Sequence, residues 1–469
     1  MDAPGLRALL DRQRAAFLRD GPPPRRERVA HLRALEDAVF ARRRRLQLAV
    51  EADFGRRAWF TTVGGEVVPT LAYLRWLRRH LRRLMAPQWR PASLHSPLAS
   101  IRIVPQPLGV VGIIGTWNYP VSLVLMPVAA ALAAGNRVMA KVSEHAPATG
   151  AELRELVASL FPEERVAVVE GGPEAGEAFS RLPLDHLFFT GSSAVARHLV
   201  RASADHLVPL TLELGGKSPA IVEGERALEL AAERVAFARL FNGGQSCVAV
   251  DYALVPRGLA ARFADRVAHH ARRQYPSVRD NPDYTAIISD RQFARLQGLL
   301  AEARERGATL VETHPGERPD PVRRILPPVL VPGASPDLAL MREEIFGPVL
   351  PIVEYDDLAG AIAFVNARPR PLTLHWFGGA AGLREVERRT TSGQLVANDA
   401  VWHFVQEGVR FGGVGESGMG AYHGPEGFHA FSHHKTVLSQ PRWNPTRLVT
   451  PPFPRGGWKD WVVKFFLRY

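Results

Sequence analysis

A single cysteine, Cys247, serves a chain of 469 residues, and that scarcity excludes a disulfide framework. One thiol suits a reducing compartment, so a cytoplasmic location is expected. Lysine is almost missing: five of the 59 basic residues, at 141, 217, 435, 459 and 464, with arginine supplying the rest. No long hydrophobic run occurs. The longest, Val121 to Ala134, contains Pro127 and falls short of the roughly 20 residues a membrane-crossing helix needs. Met1-Asp-Ala-Pro-Gly5 lacks a basic region followed by an apolar core, so no signal peptide is read there. Internal repeats and low-complexity segments are absent too.

What the chain has in excess is positive charge, a net +12. The arginines are spread, with local clusters only at Arg42 to Arg45 and Arg78 to Arg83. A nucleic-acid binder gathers its charge into one patch with stacking aromatics or a recognisable module. Neither is present, so no nucleic-acid partner is expected and the excess reads as surface composition. At this length one core is too few, and two or three domains are expected.

Residues 6 to 52 read as two helices broken at Gly21-Pro-Pro-Pro24, and a third spans Val67 to Leu84 with leucines on one face. A linker from Pro87 to Pro97 leads into the alternating strand Ile101-Arg-Ile-Val-Pro105. Short apolar strands at 109–115, 137–141, 165–169 and 186–190 then alternate with helices, as in a parallel sheet covered on both faces. A second such series begins after Gly215 and runs to about Pro371. Gly109, Gly112 and Gly115 lie inside a strand rather than at a strand-to-helix turn, so they form no dinucleotide fingerprint. Gly216-Lys217-Ser218 lacks the glycine that a phosphate loop needs at 211, where Thr211 stands.

Cys247 has company that a merely buried thiol would not need. Gly243-Gly-Gln-Ser-Cys247 follows an amphipathic helix, and Leu212-Glu-Leu-Gly-Gly-Lys-Ser-Pro219 brings a carboxylate with apolar flanks and two glycines. A nucleophile with a nearby base is the functional reading, and an apolar setting would raise the pKa of Glu213.

Several segments, in order, resemble the aldehyde dehydrogenase superfamily and its shorter dimeric branch. They are Pro107-Leu-Gly-Val-Val-Gly-Ile-Ile-Gly-Thr-Trp-Asn-Tyr-Pro120, Ala134-Gly-Asn-Arg-Val-Met-Ala-Lys141, Phe188-Phe-Thr-Gly-Ser192 and the Glu213 and Cys247 segments. Glu343-Glu-Ile-Phe-Gly-Pro348 and Phe411-Gly-Gly-Val-Gly-Glu-Ser-Gly-Met-Gly420 complete the series. Gly418-Met-Gly-Ala-Tyr-His-Gly424 and Phe431-Ser-His433 are similar to fatty-aldehyde and coniferyl-aldehyde enzymes, and Leu182-Pro-Leu-Asp-His-Leu-Phe-Phe-Thr190 leans toward the coniferyl type.

The resemblance implies an α/β fold: a Rossmann-type NAD-binding domain over 1–84 and 108–213, and an α/β catalytic domain over 214–408. It further implies a small bridging sheet from 85–107 and 409–440, a tail at 441–469, and a homodimer. It implies NAD(P)-dependent oxidation of an aldehyde, aromatic such as coniferyl aldehyde by preference, long-chain fatty aldehyde as the alternative. Cys247 would add to the carbonyl and pass through a thiohemiacetal and a thioester, with Asn118 and the Cys247 backbone N–H holding the oxyanion and Glu213 activating water.

Lys141 and Glu144 would bind the adenosine ribose, Gly191 and Ser192 the pyrophosphate, and Glu344 the nicotinamide ribose, with Phe346 beside it. Glu144 should repel a 2′-phosphate, so NAD is preferred, with NADP possible. Tyr119, Trp402, His403 and Phe404 would line the substrate funnel. No metal is expected. Ala196, Val142 and Arg410 depart from the family's glycine, proline and proline, which puts cofactor affinity in question.

Two other classes compete. A cysteine hydrolase or acyltransferase would need a histidine base that no motif places, and a non-catalytic basic scaffold would need a binding patch. The aromatic tail around Trp458, Trp461 and Phe465 reads first as a short helix packed over the substrate mouth, and second as a peripheral membrane contact.

Overall fold

The computed structural model describes residues 1–93, 96, 98–444, 451 and 456–467. Among the described residues, short β-branched runs set among amphipathic segments produce three sheets. In the first, Val110–Ile114, Arg137–Lys141, Val166–Val169, His186–Gly191 and Leu210–Leu214 run parallel. The two-residue strand Gly418–Met419 closes one edge antiparallel to Leu210–Leu214. Side chains alternate across this sheet. Val111 and Ile113 join the core formed with helices Arg25–Ala41, Val68–Leu84 and Ser122–Ala134, while Val110 and Ile114 face helices Ala3–Asp20 and Ser193–Ala204. Burial on both faces is what lets parallel strands read as continuous apolar runs.

Helix Ser122–Ala134 is buried on every side, as its all-round apolar sequence requires. Its C-terminal carbonyls still need partners, and the Arg28 guanidinium donates to those of Ala133 and Ala134 at 3.0 and 2.7 Å.

The second sheet has seven strands in the order Val311–Glu312, Val329–Pro332, Val349–Tyr355, Tyr252–Pro256, Pro219–Val222, Thr373–Phe377 and Gln394–Ala397. Only the first of these is antiparallel to its neighbour. The third sheet pairs Ser100–Pro107 with Gln88–Arg90 and Ser432–Ser439, all antiparallel.

Four details differ from the sequence reading. The N-terminal region holds three helices, because the chain bends again at Arg42, where Arg42 and Arg45 turn to meet Glu152 and Glu155. A π-helical turn, Val63–Val67, precedes the helix Val68–Leu84. The second strand series continues past Pro371 to Ala397.

The tail forms helix Trp458–Phe466, but Trp458, Trp461, Val463 and Phe465 are 53, 67, 53 and 41% exposed. The packing expectation is therefore corrected: these side chains do not bury themselves over the substrate mouth. Arg455 and Arg468, which flank this cluster in the sequence, lie outside the described residues.

Candidate active site

Helix Glu225–Leu240 ends in a bend where Asn242, Gly243 and Gly244 all take positive φ, at 55, 62 and 74°. Gly244 is required there, since a Cβ would fall 2.4 Å from the carbonyl oxygen of Gly347. The Gln245 side chain then ties the loop down. It donates to the carbonyls of Asn242 and Ala286 and accepts from the N–H of Ile288, each at 3.0 Å. Cys247 follows, half-buried. Burial, with the carboxylates of Glu344 and Glu213 nearby, pushes its thiol up to about 12. The protein's own groups thus leave the thiol protonated at neutral pH, and a base or an added positive charge must free it.

Asn118 lies on the turn between strand Val110–Ile114 and helix Ser122–Ala134. Its side-chain amide donates to the carbonyl of Gln245 at 3.2 Å, which spends one N–H and leaves the second. Its main-chain carbonyl accepts from the Asn242 amide at 3.1 Å, so this turn and the cysteine loop are stitched together. Glu213 is the fourth residue of its strand, opposite Thr190 on one side and Gly418 on the other. It is buried, and neither carboxyl oxygen has a hydrogen-bond partner among the described residues. Burial holds its pKa well above the ordinary carboxylate range, with Arg410 pulling the other way. Cys247, Asn118 and Glu213 line one cleft.

That cleft, about 1310 Å³, opens at the carboxyl ends of four parallel strands, the place where open α/β sheets take ligands. Lys141 and Glu144 meet there, the ammonium donating to the carboxylate at 2.7 Å. Gly191 ends its strand, and Ser192 caps helix Ser193–Ala204 by accepting from the N–H of Val195 at 3.4 Å. The open helix N-terminus faces the cleft and favours an anion.

Glu344 packs onto Gly215, where a Cβ would fall 2.3 Å from either carboxylate oxygen. Burial, then the neighbouring Asp251, raises its pKa to about 8. Phe346, at φ 50°, stands edge-on to Trp117 at 5.3 Å. Polar ends, an anion-favouring helix start and a glycine floor are what a dinucleotide needs, and the residues present fit one. Ala196 is buried in the core beneath its helix and Val142 packs at Gly150, so neither departure lines the cleft.

Cys247 also lines a second cavity, an apolar one, with Phe60, Gly65, Tyr119, Phe237, Trp402 and Phe404. Trp402 stacks on Phe237 at 5.7 Å. The expectation for His403 is corrected. On the short 3-10 turn Trp402–Val405 its ring points away from the cavity, within 3.2 Å of the Thr373 hydroxyl and stacked on Phe411. Sequence reasoning missed Phe60, Gly65 and Phe237. Phe237 had a signal, four residues before Phe241 on the helix leading to the cysteine loop; Phe60 and Gly65 had none.

The aldehyde dehydrogenase family profile matches residues 7–437. The chain is 47% identical over 464 residues to a "Probable coniferyl aldehyde dehydrogenase" of Pseudomonas aeruginosa, covering 99% of this chain and 96% of that one. Its fold superposes on the substrate-bound state of Staphylococcus aureus AldH with a TM-score of 0.92 at 32% identity, covering 98% of this chain and 99% of that one. For the Mycobacterium tuberculosis aldehyde dehydrogenase complexed with NAD+ the TM-score is 0.84 at 29% identity, covering 94% and 91%. With the family profile spanning most of its length, the chain belongs to the aldehyde dehydrogenase family and oxidises aldehydes with NAD(P).

Proposed function

We propose that Cys247 is the nucleophile of this oxidation and that an aromatic aldehyde of the coniferyl kind is the preferred substrate. The observation that carries the reading is the position of Cys247, which lines both the polar cleft and the apolar cavity. The thiol proton is lost to solvent as the sulfur adds to the aldehyde carbon; the second N–H of Asn118 and the Cys247 backbone N–H receive the resulting oxyanion. A bound nicotinamide dinucleotide supplies the hydride acceptor. Glu213, in its ionised form, then takes a proton from the water that attacks the thioester, releasing the acid and restoring the thiol. Lys141, Glu144, Gly191, Ser192, Glu344 and Phe346 hold the dinucleotide, and the carboxylate of Glu144 favours NAD over NADP.

Cys247→Ala tests the scheme: NADH production disappears while the melting temperature persists. Turnover retained in that variant rules the scheme out.

A long-chain fatty aldehyde is the second reading, favoured by the almost wholly apolar lining of the cavity. Comparing kcat/KM for coniferyl aldehyde, benzaldehyde and decanal, each with NAD and NADP, decides between them.

The division into domains given above draws support from the three sheets, and Gly418–Met419 lends the bridging segment 409–440 a strand beside Leu210–Leu214. Homodimerisation draws support from the exposed strand Ser432–Ser439, and a light-scattering mass near twice 51.7 kDa tests it. The lone thiol supports a cytoplasmic site, which cell fractionation checks.

A further inference from the structure

Between helices Arg43–Phe54 and Val68–Leu84 the chain makes its one-residue-wider turn, Val63–Val67. An extra residue in a helical turn rotates every side chain after it, and such turns gather at functional places. Here the turn carries Glu66 wholly inside the protein. One carboxylate oxygen accepts from the N–H of Val121 at 2.7 Å and of Ser122 at 3.2 Å. The other lies 3.0 Å from the guanidinium of Arg57, which is equally unexposed; the contact has ion-pair distance without hydrogen-bond alignment. Arg57 in turn donates to the main-chain carbonyl of Asn118 at 3.0 Å and lies 5.1 Å over the ring of Tyr119. Two buried charges therefore grip both ends of one turn, at residue 118 and at residues 121 and 122.

Stability does not account for such a pair, because apolar residues of similar volume often replace a buried ion pair at no loss or with a gain. What apolar residues cannot do is donate to a carbonyl or accept from an N–H. Both of those bonds fall on the turn that carries the Asn118 side chain, whose other tether is the Gln245 carbonyl of the cysteine loop. Oxyanion donors act only if placed before the charge develops, and a misplacement of about 1 Å can cost roughly a hundredfold in rate.

We infer that Arg57 and Glu66 are a positioning pair for the oxyanion amide: they fix the main chain of Asn118 so that its side chain meets the oxygen of the substrate whose carbonyl carbon Cys247 has attacked. The inference rests on the reading of Asn118 given above.

A mutant cycle on the full chain tests it, with kcat, KM for NAD and melting temperature as readouts. Arg57→Met combined with Glu66→Leu keeps the volume and removes both charges. The expected result is a chain that still folds and melts cooperatively, an unchanged KM for NAD, and a kcat lowered about ten- to a hundredfold. Asn118→Ala alone falls at least as far, and all three substitutions together add no more than about a twofold further loss, because the pair acts through that amide. Parental kcat in the double variant, or losses that multiply in the triple variant, overturn the positioning role and leave the Asn118 reading standing. Parental turnover by Asn118→Ala overturns both. Should the double variant not fold, Arg57→Met alone, which removes the donor to the Asn118 carbonyl and leaves Glu66 its bonds to Val121 and Ser122, carries the same cycle with the same two outcomes.

Discussion

Glu213 keeps both carboxyl oxygens inside the cleft with no hydrogen-bond partner among the described residues, and that is an expensive way to hold a carboxyl group. Burial raises its folded pKa above the ordinary 4.5, so the fold retains a proton that the unfolded chain releases. The sign follows: stability present at acid pH is lost as pH rises past about 4.5. Glu213→Gln should therefore melt higher than the parent at pH 8 and show little gain at pH 4; equal gains at both values would contradict the assignment. The same variant should give one burst of NADH per active site followed by turnover lowered about a hundredfold or more, since acylation survives and thioester hydrolysis does not.

The thiol makes a second prediction at this scale. With its pKa near 12, alkylation of Cys247 in the dinucleotide-free protein should quicken about tenfold per pH unit between pH 7 and 10. A plateau below pH 9 would show that burial, with the nearby carboxyl groups, does not hold the thiol up. Cys247 and Glu213 were legible in the sequence because glycines and apolar flanks set them apart. Arg57 was not: it looks like any other arginine of this basic chain, and its partner bonds form only when residues 61 positions apart are brought together.

At the scale of elements, the strand Arg137–Lys141 was readable to the residue, because an apolar run bounded by Gly135-Asn136 and a polar segment has few alternatives. The π-helical turn was not, since Gly64-Gly65 reads equally as a loop, and only tertiary packing decides that the helix absorbs them. Gly65 nonetheless shapes the apolar cavity beside Cys247. A Cβ there would sit 3.3 Å from the Phe241 ring and 3.8 Å from that of Tyr119, tight but at ordinary φ. Gly65→Val should push into the cavity, lowering kcat/KM for coniferyl aldehyde by about tenfold relative to a two-carbon aldehyde, as steric mismatch in an apolar pocket does. An equal fall for both substrates would mean that the wall does not select.

For the molecule as a whole, strand and helix alternation announced two layered α/β units, but not how they share strands. The edge strand Gly418–Met419 pairs with Leu210–Leu214 across some two hundred residues, a relation no local pattern encodes. The tail was misread for a related reason: aromatic clustering reports a tendency to leave water without saying where to. Since Trp458, Trp461 and Phe465 stand exposed, deleting residues 450–469 should leave the melting temperature unchanged within about 1 °C, as removal of unburied groups does. If the tail meets lipid, the full chain should sediment with anionic vesicles and the truncated chain should not. A marked loss of thermal stability on truncation would restore the packing reading.

The sulfur reached from two separate chambers has a practical consequence for traffic. On the proposed reading, a nucleotide in the polar cleft and an aldehyde in the apolar cavity would meet the sulfur from different sides, and the finished acid would be free to depart with the reduced nucleotide still seated. The far end of the aldehyde could then be varied, by evolution or by a chemist, without touching the residues of the nucleotide cleft.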